Sequence, residues 1–152
     1  MRRSRLLNPA LLACALAAAT RAQTFIVDSS SSPGTQFTEI AAAIASVPDN
    51  ATLLVRSGSY APFVLDAKGL TLLADANVVV TGSCAVRNTQ PGQPVSLAGL
   101  ELMITPGEAT VLLLENCADR VLLHNLRTPA ILPPVPVVSV FYSLPLGLFA
   151  TG

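Results

Sequence analysis

Gly69-Leu70-Thr71-Leu72 and Gly99-Leu100-Glu101-Leu102 are two copies of one G-L-x-L unit, and Arg120-Val121-Leu122-Leu123 is a weaker echo. Coils of such spacing, each returning the chain to the same side, mark a solenoid. Outward from these units, Ala51 to Arg127 reads as short strands: 52–56, 63–65, 70–74, 78–81, 84–87, 95–98, 100–104, 110–115 and 120–124. Ser57-Gly58, Lys68-Gly69, Gly82-Ser83, Gln90-Pro91-Gly92, Pro106-Gly107 and Asn116 to Asp119 punctuate them with turn residues. A sandwich, a closed barrel and a parallel β-helix all accommodate many short strands. The Asn-Gly and Asp-Gly pairs that close antiparallel hairpins are missing, which favours the β-helix. In that architecture each inward side chain stacks on its counterpart about 4.8 Å along the axis. Such stacking needs aliphatics of similar size in register, and Leu, Val and Ala supply them.

Before the first coil, Thr24-Phe25-Ile26-Val27 reads as a strand. The period then changes. Phe37, Ile40, Ala41, Ile44 and Val47 recur at helical spacing, which predicts an amphipathic helix over 37–47. Thr35 is the expected N-cap, Glu39 sits in the first turn and Pro48 stops the helix. A solenoid exposes unpaired backbone at its ends, so this helix is expected to cap the N-terminal one.

The chain has 152 residues, room for one domain; 51% are hydrophobic and 12% charged. That balance excludes disorder, and the absence of a basic stripe argues against nucleic acid. Arg2, Arg3 and Arg5 precede an apolar run from Leu6 to Ala19 and then Thr20-Arg21-Ala22. This order reads as a secretory signal over 1–22, because the run is shorter than the roughly 20 residues that span a bilayer. Cys14, after Leu11-Leu12-Ala13, resembles a lipobox, but the apolar run continues past it. Beyond the signal, five basic residues face nine acidic ones, a net charge of −4. Cys84 and Cys117 remain; export would permit pairing, whereas their strand-like surroundings favour two small buried hydrophobes. Asn50-Ala51-Thr52 is a glycosylation sequon, relevant only to a eukaryotic secretory route.

Phe37 to Ile44, followed by Asp49 to Tyr60, resembles the N-terminal cap and first coil of secreted right-handed parallel β-helix proteins, the pectin-lyase-like folds of bacterial exported proteins. Gly58 and Tyr60 match their P-G-x-Y turn, with Ser57 where Pro is usual, and Lys68-Gly69-Leu70-Thr71-Leu72 resembles the strand that follows. The resemblance covers roughly residues 24–126. It implies the fold and leaves function open, since this scaffold hosts lyases, hydrolases, isomerases, adhesins and binding proteins.

No catalytic set carries over from those relatives. Asp49, Asp66, Asp75, Glu101, Glu108, Glu115 and Asp119 are scattered singly, mostly at turns, where solvated carboxylates are expected. A calcium ion would need 6–8 oxygen ligands brought together across coils. His124 has no nucleophile and orienting partner at a recognisable spacing, so an outward strand position is expected. Glu115-Asn116-Cys117 reads as a turn with a stacked Asn, a residue that tolerates the left-handed conformation. Arg56, Tyr60, Lys68 and Arg87 are the nearest thing to a carbohydrate-facing set. No catalytic, metal-binding or cofactor-binding residue is assigned.

From Thr128 to Gly152 no residue is charged, and Pro133, Pro134, Pro136 and Pro145 would break a spanning helix. The expected class is all-β: a short right-handed parallel β-helix with an N-terminal capping helix. Residues 1–22 form the signal, 23–127 the solenoid, and 128–152 an irregular or truncated last coil. The expected role is an exported, non-catalytic module, secreted or at the cell surface, with a polysaccharide or another surface component as partner. A fragment or small member of a polysaccharide lyase or glycoside hydrolase group is the alternative. Tethering by the tail, rather than a soluble state, is a weaker one.

Overall fold

A computed structural model of the chain describes residues 23–128 and the backbone of 138–141 and 149–151. The expected signal segment lies outside the described residues, as does most of the tail. Three parallel walls wind about a common axis for about four turns. Wall 1 holds β1 (Thr24–Val27), β2 (Ala51–Val55), β5 (Leu70–Ala74), β8 (Val95–Ala98), β11 (Val121–His124) and β13 (Phe149–Thr151). Wall 2 holds β3 (Gly58–Tyr60), β6 (Val78–Thr81) and β9 (Glu101–Met103). Wall 3 holds β4 (Val64–Asp66), β7 (Cys84–Arg87), β10 (Leu112–Glu115) and β12 (Val138–Phe141). Strands β12 and β13 extend walls 3 and 1 by one rung each, so the uncharged tail carries solenoid strands.

The alternating pattern of each strand becomes a set of vertical columns. On wall 1, Ala51, Leu70, Val95 and Val121 stack in register, and so do Leu53, Leu72, Leu97 and Leu123. Tyr60, Val80 and Leu102 line wall 2; Leu65, Val86 and Leu114 line wall 3. All of these are buried. Burial of such side chains is worth roughly 1.5–3 kcal/mol each. The core is therefore a stack of thin apolar layers, each sealed by those above and below.

The register corrects one reading of the sequence. Leu70 and Leu72 point inward from wall 1, whereas Leu100 lies on the approach to wall 2 and Leu102 in it. The two G-L-x-L units are therefore not equivalent. Val95-Ser96-Leu97 takes the place of Leu70-Thr71-Leu72. Successive turns, from Ala51 to Leu70 to Val95 to Val121, are unequal in length, and the first is the shortest. The physical reason is that a column requires an aliphatic of suitable bulk and does not distinguish Leu from Val.

Helix α1 spans Ile40–Ser46, shorter than the stripe predicts. Gln36 and Phe37 donate their amides to Ile26 O, and Phe37 O accepts from Asp28 N, so the start of the stripe pairs with β1 instead of coiling. Thr35 is not the N-cap; its hydroxyl donates to Ser32 O in a turn, while Glu39 occupies the cap without a capping side-chain bond. Ile40, Ala43 and Ile44 face the core. Glu39 Oε2 accepts from Ala61 N at the corner between walls 2 and 3, and Lys68 Nζ donates to Ile44 O and Val47 O at the next corner. The helix thus runs from corner to corner beside β4, the first strand of wall 3, and closes the N-terminal end there.

Candidate functional site

The turn from wall 3 back to wall 1 is laced by its own side chains. Ala67, Asn88 and Asn116 each follow a wall 3 strand, and each has a positive φ, of 49°, 56° and 49°. Asn116 Nδ2 donates to Asn88 Oδ1, and Asn88 Nδ2 donates to Asp66 Oδ1, forming a carboxamide ladder along the axis. Asp49 accepts from Gly69 N at 2.9 Å and from Gln93 Nε2 at 2.7 Å; Asp119 accepts from Gly92 N at 2.7 Å and from Arg120 N at 2.6 Å. Asn88 foremost, with Arg87, holds the Asp66 carboxyl below its ordinary pKa. The amides of Arg120 and Gly92 do the same for Asp119. These carboxylates satisfy turn donors, which is a structural task.

The remaining groups singled out by the sequence are similarly engaged. Arg56 pairs with the buried Asp28 at 3.4 Å; Lys68 holds the helix end; Arg87 pairs with Asp66 at 3.0 Å. Tyr60 is buried, and its hydroxyl donates to Arg56 O. The structure therefore does not bring Arg56, Tyr60, Lys68 and Arg87 together as a face: Tyr60 is buried against the Arg56 backbone, and the three cations are engaged at separate places. Glu108 accepts from Thr105 and from Ser83 N, and the Thr105 hydroxyl and amide lower its carboxyl pKa. His124 ends β11 on an exposed, outward position. Cys84 and Cys117 are buried free thiols on the core side. Burial pushes the Cys84 thiol up to about 11 and raises that of Cys117, so both behave as small hydrophobes. The described residues contain no group of three metal-ligating side chains.

Three carboxylates among the described residues make no hydrogen bond or ion pair: Asp75, Glu101 and Glu115. Two of them meet at one place. The corner between walls 1 and 2 carries a cleft of about 180 Å³ lined by Asp75, Asn77, Gly99, Glu101, Asn125 and Arg127. These belong to three successive turns. The side chains of Asn77, Asn125 and Arg127 likewise have no partner among the described residues, so five polar groups of mixed character face a shared concavity. Each has a backbone cause for its position. Glu101 pairs with Val79 and Arg127 bridges to Glu101, which stacks their side chains outward on the rim. Asn77 and Asn125 turn the chain with φ of 63° and 50°. Gly99 has φ +80°, and a Cβ there would lie 2.7 Å from Ala74 O. A side chain at 99 would strain the turn and crowd the rung below it.

Sequence reasoning missed this constellation because Asp75, Glu101 and Arg127 stand far apart along the chain. Their even spacing, close to one turn of the solenoid, is the one signal that the sequence carries. A second depression, of about 300 Å³, lies beside the cap against Phe37. Part of its polar rim is occupied: Thr35 bonds to Ser32, and Gln36 Oε1 accepts from Ile26 N at 2.6 Å.

No protein-family model matches the chain, and neither the curated proteins nor the solved structures give a match. The cleft must be interpreted from its own chemistry.

Proposed function

We propose that the chain is an exported, non-catalytic β-helix module of the pectin-lyase-like kind that binds a cell-surface or extracellular ligand at the corner between walls 1 and 2. The observation that carries this reading is the convergence of unengaged polar side chains from three turns on one concavity. Export rests on the Arg2-to-Ala22 segment read from the sequence. The presence of Asp75 and Glu101 in one cleft also keeps a glycoside hydrolase reading in view, since two carboxylates are what that chemistry uses. Against it, a general acid of that type sits in an apolar pocket. Asp75 is exposed and Glu101 only half-buried.

The test is retention of the purified protein on isolated cell envelopes and insoluble polysaccharides. Ala76→Arg, on the exposed turn beside Asp75, should fill the cleft and abolish retention. Equal retention of the variant and the parent overturns the cleft as the binding site. Turnover of any polysaccharide, lost in Asp75→Asn or Glu101→Gln, overturns the non-catalytic reading.

A further inference from the structure

The composition of the cleft narrows the chemistry of what it accepts. Asp75 and Glu101 offer only acceptors; Arg127 offers only donors; Asn77 and Asn125 offer both. A ligand that satisfies this rim must present donors and acceptors close together along the same edge. Hydroxyl groups do so, each being one donor and two acceptor lone pairs. The charges exclude two other classes. Two carboxylates against one guanidinium leave the cleft with a net charge of −1, which opposes a carboxylate or phosphate. A divalent cation would have to sit beside the Arg127 guanidinium, whose positive charge opposes it. Size sets a further limit. A cleft of about 180 Å³ has the liquid volume of about six waters, room for about one ring. Carboxylate hydrogen bonds to vicinal hydroxyls are charge-assisted and among the stronger polar contacts.

We infer that the cleft formed by Asp75, Asn77, Glu101, Asn125 and Arg127 takes a single neutral, polyhydroxylated unit, such as one uncharged sugar ring. This rests on the cleft being the ligand site proposed above. No aromatic ring lines the cleft to add stacking, so the expected Kd for a free monosaccharide is on the order of 1 mM.

The experiment is an NMR titration of the ¹⁵N-labelled protein with methyl galactoside, methyl glucoside, galacturonate, inorganic phosphate and calcium chloride, each separately. Galacturonate retains the galactose ring and adds one carboxylate, so it isolates the charge argument. A neutral sugar is expected to shift the amides of Asn77, Gly99 and Asn125, and galacturonate to bind at least tenfold more weakly than its neutral counterpart. Glu101→Gln should weaken the neutral sugar about tenfold and narrow its advantage over galacturonate. Tighter binding of galacturonate, phosphate or calcium at these amides overturns the inference and leaves a binding module of different specificity. Silence at these amides with every probe, with envelope retention still abolished by Ala76→Arg, also overturns it while the module reading stands. If retention is indifferent to Ala76→Arg, the module reading fails on its own test.

Discussion

Two corners of one solenoid handle polar residues in opposite ways. Between walls 3 and 1, Asp49, Asp66, Asn88, Asn116 and Asp119 are tied to neighbouring turns. Between walls 1 and 2, Asp75, Glu101 and Arg127 project from turns of the same scaffold and hold nothing among the described residues. The backbone problem is similar at both corners, since each uses positive-φ residues to bend the chain. The difference is one of extent: between walls 1 and 2, Ser57 donates its hydroxyl to Ala76 O and Arg56 pairs with Asp28, but the later turns leave Asp75, Glu101 and Arg127 uncommitted. A corner secured by its side chains stabilises the fold. A turn whose side chains the fold does not need leaves them available for a ligand.

The greatest loss should come from the column both corners share. Leu97→Ala should cost about 3 kcal/mol in urea unfolding, because a fully buried layer between Leu72 and Leu123 loses its filling. It should weaken both corners alike. Next, Asn88→Ala should cost about 2 kcal/mol: it forces Ala into a left-handed residue and removes both ladder bonds. Asn77→Ala, which loses only the conformational tolerance, should cost about half as much. Equal losses from the two Asn substitutions would erase the contrast between the corners.

Acid should act through the engaged carboxylates. Asp28, Asp66 and Asp119 are held below the ordinary carboxylate pKa, chiefly by Ser30, by Asn88 and by the Arg120 amide respectively. The folded protein therefore binds fewer protons than the unfolded chain just below pH 4. Their stabilisation is complete above about pH 4, the unfolded Asp value, and is lost as pH falls through the folded pKa values. In acid titrations of the melting temperature, Asp28→Asn and Asp66→Asn should each flatten the fall. A fall of unchanged steepness would show that these contacts do not stabilise the folded state.

A smaller, opposite effect should follow from Ala67→Asn. Ala67 occupies the ladder position with φ 49° but lacks a carboxamide, so the change should stabilise by up to about 1 kcal/mol in the same unfolding assay. The least perturbing changes probe the open corner most directly. Asp75→Asn and Glu101→Gln should leave the urea midpoint unchanged, because neither carboxylate is bonded to another described residue and both substitutions keep the side chain's size. A clear destabilisation by either would make that corner structural and undercut the cleft.

Legibility in the sequence varies by element. The wall strands 70–74, 78–81, 84–87 and 95–98 follow directly from β-branched and aliphatic alternation. The sequence shows β3 only as a turn, because Gly58-Ser59-Tyr60 has no alternation to display; it becomes a strand by pairing with Val78 to Val80. The first residues of the predicted helix are claimed by β1 through Gln36 and Phe37, a tertiary pairing that overrides local periodicity. The stacked Asn116 is readable because Asn is one of few residues that tolerate a left-handed turn.

The amino-acid pattern alone dictates that the chain stacks short parallel strands, since missing hairpin turns and repeated inward aliphatics leave few other solutions. Which turn residues meet is a property of the assembled fold. Turns of unequal length place side chains from different coils next to one another, and no local pattern encodes that phase. Hydrophobic burial fixes the register of the inward columns, and the outward groups are carried to their positions by it. For that reason the set Arg56, Tyr60, Lys68 and Arg87 separated into individual contacts, while Asp75, Glu101 and Arg127, unremarkable along the chain, came to line one cleft.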